Sequence, residues 1–385
     1  MAVEPGTDFA TNGGASSVMT TAPAANGRPR NGPVRRSAPP EPLPRVLALD
    51  DPRWSSFVAQ RTHATAFHHP AWAELLAATY GYRAFAVVVT DEAGAIVAGT
   101  PFVEIRIPAR RRWVSLPFTD ECPPLAVDAG ARAQYAAALA LAQIHLRAPA
   151  VHVRGLLDGV GWRSSADAVI HELELDRDAD RVRARFSRSQ VIRNIARAER
   201  EGVTVRRATE PRDLDAFYAL HVRTRRRQGV PVQPRRFFEL LWARLVEPGM
   251  ASILLADAGR RKAVAGALFL TSGGCTIYKF GASDVDCWPL RPNHLIFATA
   301  IEEACARGDT RFDFGRTDLA NDGLRAFKHS WGASERPLRY STLAAGAAAG
   351  HTGLVTRALG AAIRRGPSWV CRGAGEALYR YAAAR

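Results

Sequence analysis

The sequence predicts an α+β chain of two similar units in tandem, each a mixed, mostly antiparallel sheet flanked by helices. Three observations carry this reading. From about residue 46, segments of helical period alternate with segments of strand period. The same order then occurs twice: helices, a hairpin with glycine in its second strand, another strand, a helix and a last strand. Finally, 385 residues at 47% hydrophobic content can bury cores for about two to three domains.

Residues 1–44 are rich in Ala, Pro, Gly, Ser and Thr and poor in large apolar side chains, so a disordered tail is expected there. The first unit is assigned to 45–175. Its helix begins at Pro70, with Trp72, Leu75 and Leu76 on one face. Phe85–Thr90 and Ala95–Ile105 read as a hairpin around Asp91-Glu-Ala-Gly94, and Trp113–Phe118 as a further apolar segment. An alanine-rich helix near 130–146 and a strand at Val151–Arg154 complete it.

The second unit is assigned to 176–345. Helices are expected over Ser189–Glu201, Asp213–Gln228 and Pro234–Leu245, the last with Phe237, Phe238, Leu241, Trp242 and Leu245 at helical spacing. A hairpin (Ala251–Ala256, Ala263–Leu270), a strand at Cys275–Gly281, a helix over 293–307 and a strand at Arg311–Phe314 follow. Residues 346–385 form a helical tail. Leu354, Val355, Ala358, Leu359, Ala362 and Ile363 make an apolar stripe opposite Arg357 and Arg364, which suits either a cap on the second unit or a membrane surface.

Composition excludes several classes. No stretch approaches the roughly 20 apolar residues of a membrane-spanning helix, and no secretory signal is visible. The five cysteines are scattered without Cys-x-x-Cys, and no His-Glu-x-x-His spacing occurs, so a reducing cytoplasm and no metal site are expected. Neither a Walker loop nor a Gly-x-Gly-x-x-Gly fingerprint is present, and Asp313-Phe-Gly315 lacks the other kinase segments. The net charge of +15 is uneven: Arg181–Arg236 holds 16 arginines against 5 acids, which suggests an anionic substrate, RNA or an anionic surface.

Only three of the 52 basic residues are lysines: Lys262, Lys279 and Lys328. A lysine is a compact point charge suited to one developing oxyanion, whereas arginine is a planar fork. Lys328 lies in Gly323-Leu-Arg-Ala-Phe-Lys-His-Ser-Trp-Gly332, shortly after Phe312-Asp-Phe-Gly-Arg316. Those two segments, with His68-His-Pro-Ala-Trp72, Tyr80-Gly-Tyr82, Val114–Phe118 and Ser189–Glu199, carry a resemblance over roughly 45–345. The order of elements in each half resembles the GNAT acetyltransferase fold. Its doubling resembles the FemAB-like family, which includes peptidoglycan aminoacyltransferases and BioF2-like acetyltransferase domains.

The resemblance implies acyl transfer to an amine, with Phe327 and Lys328 at the reacting centre. It makes Arg193 and Arg197, four apart on one helix face, candidates for gripping a pyrophosphate or RNA phosphate. Arg316, after a strand end, is a candidate substrate contact, with an internal Asp313–Arg316 pair as the alternative. Tyr278 is either a proton carrier or a buried tyrosine. No bound cofactor is expected; the co-substrate is an aminoacyl-tRNA or an acyl-CoA. The stretch Cys287-Trp-Pro-Leu-Arg-Pro-Asn293 stands where GNAT enzymes place a glycine-rich pyrophosphate loop. Its two prolines lack amide hydrogens, which favours the charged tRNA as donor.

Overall fold

The computed structural model describes residues 44–107, 110–145, 150–344 and 353–382, so the tail expected over 1–44 lies almost wholly outside the described residues. The first half runs β1 (Arg45–Leu47), α1 (Pro52–Ala59), α2 (Pro70–Tyr80), β2 (Arg83–Thr90), β3 (Ile96–Ile107), β4 (Arg110–Val114), β5 (Leu125–Ala126), α3 (Ala129–His145), β6 (Ala150–Val153) and β7 (Trp162–Glu174). The second runs α4 (Ala179–Arg183), α5 (Arg193–Arg200), β8 (Val203–Arg207), α6 (Pro211–Gln228), α7 (Arg235–Leu241), β9 (Ala251–Ala258), β10 (Arg261–Ser272), β11 (Cys275–Ser283), α8 (Pro292–Arg307), β12 (Arg311–Asp318), α9 (Asp322–His329) and β13 (Ser334–Ala344). The tail forms α10 (Gly353–Arg365) and α11 (Ser368–Ala382).

Local chemistry explains the helix ends. His69 caps α2 by accepting from the Ala71 amide, Pro70 opens the helix, and Gly81 closes it in the left-handed region. A Glu210/Asp213 capping box starts α6 at Pro211. The expected helices at 189–201 and 234–245 each contain a π-helical turn, at Arg188–Ile192 and Trp242–Val246.

Among the described residues the strands form one sheet in the order β1-β2-β3-β4-β6-β13-β7-β12-β11-β10-β9-β8, with β5 beside β3. The order is palindromic: read from either edge it passes through equivalent strands of one half, then the other. Its two parallel pairs, β4–β6 and β11–β12, occupy equivalent places. At the centre the halves exchange strands. β7, from the first half, pairs with β12, while β13, from the second, pairs with β6. The two exchanged strands then pair with each other from Ser334–Glu172 to Leu343–Trp162. The boundary expected at 175/176 therefore follows a strand whose neighbours both belong to the second half, and Glu41–Arg385 is one compact unit.

Packing follows the same plan. α3 covers one face of the first half, with Tyr135 and Leu139 on Phe85, Val87 and Phe102. α5 and α8 cover the matching face of the second, around Phe269, Phe297, Phe312 and Trp331. The remaining core is shared, since α2 of one half meets α7 of the other with Trp72 edge-on to Phe237 at 6.2 Å. The tail packs on this shared core. Ile363 and Cys371 are buried, Tyr379 lies 4.8 Å from Phe118 and 6.0 Å from Tyr80, and the Tyr82 hydroxyl donates to the Arg380 carbonyl. Of the expected stripe, Leu359 and Ile363 face the core, Ala358 and Ala362 are exposed, and the side chains of Leu354 and Val355 lie outside those described. No helix is long and apolar enough to cross a membrane among the described residues.

Candidate active site

β11 and β12 pair in parallel only over Cys275–Ile277 and Arg311–Asp313, and no further pairing joins them beyond. At the same level β12 has a bulge against β7 between Asp313 and Arg316. Gly315 sits in it with φ 75°, and a Cβ there would lie 3.1 Å from Asp120 Oδ2 and 3.2 Å from the Tyr278 carbonyl. Glycine thus permits both the left-handed backbone and the close approach of a carboxylate. The bulge presents the carbonyls of Gly315 and Arg316 to α9, which begins at its cap Asn321. Lys328 Nζ donates to them at 2.6 and 3.3 Å.

An ammonium has three N–H groups, so two are spent on backbone carbonyls and one remains for the cavity that Lys328 lines. The side chain is buried. Burial pushes its pKa down to about 8, against the opposing pull of Asp120 and Asp313. The cavity measures about 460 Å3 and is walled by Tyr278 and Gly281 of β11, His294 and Phe297 of α8, Phe314 of β12 and Phe327 of α9. Phe327 stands edge-on to His294 at 5.5 Å, so it is cavity wall as well as core. Tyr278 packs on Phe297 at 4.8 Å, with its hydroxyl over Gly281 where any Cβ would collide. Burial pushes that phenol up to about 12, so it holds its proton through the neutral range.

The segment Cys287–Asn293 borders this cavity through Trp288, Arg291 and Pro292. It is mostly a 3-10 turn (Val285–Leu290) leading into α8, whose first position is Pro292 and whose N-cap, Arg291, makes no side-chain capping bond. The prolines fall where a pyrophosphate cradle would need amides.

Asp120 was not among the residues that sequence reasoning selected. It arrives on the loop from Leu116 to Cys122, in which Leu116 and Phe118 both take positive φ. Hydrogen bonds tie the loop down, among them those from Tyr340 Oη to the Asp120 carbonyl at 2.8 Å, from Ser115 Oγ to the Cys122 carbonyl at 3.1 Å and from the Cys122 amide to the Arg154 carbonyl at 2.7 Å. Lys279 follows Tyr278 on β11 and so points to the opposite face. Its Nζ lies 3.6 Å from Asp120 Oδ1, amid the rings of Phe67, Phe280 and Trp72 at 5.2, 5.6 and 5.9 Å. Burial pushes the Lys279 pKa down and Asp120 opposes it. Asp313 is buried beneath the bulge and accepts the Gly315 amide at 2.7 Å; burial, the largest cause, raises its pKa to about 7.

Three of the expected residues stand elsewhere. Arg193 is exposed on α5 and Arg197 pairs loosely with Glu201 at 3.8 Å; neither is among the described residues that line the cavity. Arg316 does not pair with Asp313. The bulge turns one residue outward and the other inward, and the guanidinium binds Asp318 at 2.7 Å instead. Arg316 enters the site only through its carbonyl.

Among the described residues one cluster of metal-capable side chains does form, His171, His329 and Glu335, from positions too far apart in sequence to suggest it. Arg325 already binds both Glu335 oxygens, at 2.9 and 3.0 Å. The buried His171 ring is 3.2 Å from Glu335 but poorly aligned for a hydrogen bond, so we read the cluster as an ion-pair network.

Residues 185–329 match the family model described as an acetyltransferase (GNAT) domain. A 75-residue stretch is 37% identical to the Lipid II:glycine glycyltransferase of Staphylococcus aureus, and it spans 18% of this chain and 18% of that protein. In fold, the chain is similar to the crystal structure of FemX, with TM-score 0.63 and 17% identity over 77% of this chain and 96% of that one. It is also similar to L-PGS from Bacillus licheniformis, with TM-score 0.51 and 14% identity over 82% and 98%. The second half of the chain thus matches a GNAT domain, and the doubled fold around that domain is similar to the fold of FemX.

Proposed function

We propose that the chain is an N-acyltransferase that moves an acyl or aminoacyl group onto an amine of a cell-envelope acceptor of the peptidoglycan-precursor type. The observation that carries this reading is the meeting of Lys328 and Asp120 where β11 and β12 part, one on each side of the sheet. The donor occupies the 460 Å3 cavity with its carbonyl beside the unspent N–H of Lys328. The amine arrives from the Asp120 side. Its nitrogen bonds to the carbonyl carbon as an N–H proton passes to Asp120, the oxyanion is held by Lys328, and collapse breaks the ester or thioester bond, with that proton delivered to the departing alcohol or thiol. A preorganised donor at that oxyanion contributes about 3–4 kcal/mol, or 10²–10³ in rate.

The local similarity to a glycyltransferase supports the envelope class of acceptor. The proline-bearing entry to α8 favours an aminoacyl-tRNA donor, whereas the GNAT domain match favours an acyl-CoA. The acceptor would be met on the cytoplasmic side. Exposed Trp369 beside Arg365 and Arg372 on the tail would allow peripheral contact with the inner membrane.

The test is transfer of label from a charged tRNA to a peptidoglycan precursor. Lys328→Ala should lower kcat by about 10²–10³, and Lys328→Arg should not restore it, because a fork cannot replace a point donor. Transfer surviving Lys328→Ala within a few-fold would sink the proposal. A saturable thermal shift with micromolar acetyl-CoA would reassign the donor to the acyl-CoA class.

A further inference from the structure

α9 is a helix that its own apolar residues cannot seat. It has eight residues, fewer than the ~12–15 at which a helix begins to hold by itself in water, so tertiary contacts must fix it. Yet Asp322, Gly323, Leu324, Ala326 and His329 are exposed, and Phe327 is half-buried. Its one buried side chain is Lys328, whose ammonium loses solvation there. The same helix walls the cavity through Leu324, Phe327 and Lys328. A displacement of α9 by about 1 Å would therefore reach the reacting centre, where such an error costs about 10² in rate.

The remaining side chain of the helix, Arg325, makes the connection that apolar packing does not. Its Nε and Nη2 donate to the two carboxylate oxygens of Glu335 at 2.9 and 3.0 Å, a bidentate arrangement that fixes orientation as well as distance. Nη1 reaches back to Asp322 at 3.3 Å and to the Leu319 carbonyl at 3.5 Å, so one guanidinium ties the start of α9 to β13. Glu335 is a firm anchor, because it stands opposite His171 in the β13–β7 ladder at the centre of the sheet. His329, about one helical turn after Arg325, adds a second tie. Its Nδ1 donates to the Ala333 carbonyl at 3.1 Å, and Nε2 lies 3.4 Å from Glu335. The buried His171 ring packs edge-on to His329 at 5.0 Å. Burial, and next Lys328, push the His171 pKa down to about 4, so it stands near the lysine as a neutral ring.

We infer that the Arg325–Glu335 pair, with His329, is a clamp that positions Lys328 at the β12 bulge. Arg325, Glu335 and His329 are positioning residues, and none of them is among the described residues that line the cavity. That Lys328 serves the reaction rests on the function proposed above; the hold on α9 does not.

The experiment compares Arg325→Ala, Glu335→Ala and the double variant in the full chain, by the transfer assay and by amide hydrogen exchange. Alanine favours helix, so a loss in Arg325→Ala does not come from propensity. Each single variant should lower kcat about tenfold or more and leave both KM values within a few-fold. Exchange of the α9 amides should quicken about tenfold, with the rest of the second half unchanged. The double variant should lose no more than the worse single, because the two side chains act through one contact. Arg207→Ala, which cuts the distant pair with Glu303, should move neither kcat nor α9 exchange. Thermal unfolding shows whether each variant is folded, and either single suffices. Parental kcat in the single variants, additive losses in the double, or a fall in kcat with α9 exchange unaltered would each overturn the inference. Quickened α9 exchange alongside transfer that ignores Lys328→Ala would retain the hold on α9 and reject the proposed function. Transfer that needs Lys328 but ignores Arg325 and Glu335 would do the opposite.

Discussion

At the scale of single residues, the burial of Asp313 has a consequence for stability that is separate from turnover. Its carboxyl is raised from the ordinary 3.8 to about 7. Between those values the folded chain holds a proton that the unfolded chain has released, so stability falls as pH rises through about 4 to 7 and is level above. Asn would keep the acceptor for the Gly315 amide and remove the ionisation. Asp313→Asn should thus match the parent in thermal unfolding near pH 4 and exceed it at pH 8, by at most about 4 kcal/mol. An equal shift at both pH values would show that the effect is packing. Lys328 titrates the other way. Its ammonium is the useful form, so kcat should decline as pH passes about 8.

At the scale of elements, the β12 bulge sets the geometry of the site, and its glycine can be tested apart from general strain. Gly315→Ala places a non-glycine residue at φ 75° and pushes a methyl group against Asp120. We expect a loss of about 1–3 kcal/mol in stability and at least a tenfold fall in kcat. Gly308, closing α8 at φ 82°, has only the Arg177 guanidinium at 3.6 Å for a neighbour. Gly308→Ala should therefore cost similar stability while sparing turnover. Equal turnover losses in the two variants would mean that the bulge has no special place in the site. β7 shows why elements can hide in a sequence. Its residues from Arg163 to Asp167 are exposed and, apart from Ala166, polar, with no apolar alternation, and they join the strand because β13 pairs alongside while β12 takes up the other edge from Ala168 onward.

At the scale of the whole molecule, the central strand exchange makes the halves interdependent. A fragment spanning 176–344 would keep β12 and β13 but lose β7, which joins them, and would leave the face of α7 without α2. Each half expressed alone should fail to unfold cooperatively, whereas co-expressed halves should associate and do so. A sharp thermal transition from the 176–344 fragment alone would contradict this. The basic segment 181–236 also looks different once folded. Arg206 binds Asp257, Arg207 meets Glu303 and Arg223 lies 3.6 Å from Asp284, so acids from outside the segment compensate part of the apparent excess.

By itself, the sequence determined the elements whose apolar period is their own: α2, the hairpins β2–β3 and β9–β10, β11, α8 and β12. It also determined the doubling, the family resemblance, and the pair Phe327–Lys328, which the fold carries to the opening between β11 and β12. Tertiary structure alone decided the exchange of β7 and β13, the arrival of Asp120 beside Gly315, and the burial of Lys279 among three rings. It also decided that Arg193, Arg197 and the Arg316 side chain stand apart from the cavity. The division has a physical cause. Periodicity is written within a few turns of chain, whereas a polar strand, a loop carboxylate or a buried cation acquires its surroundings from residues scores of positions away.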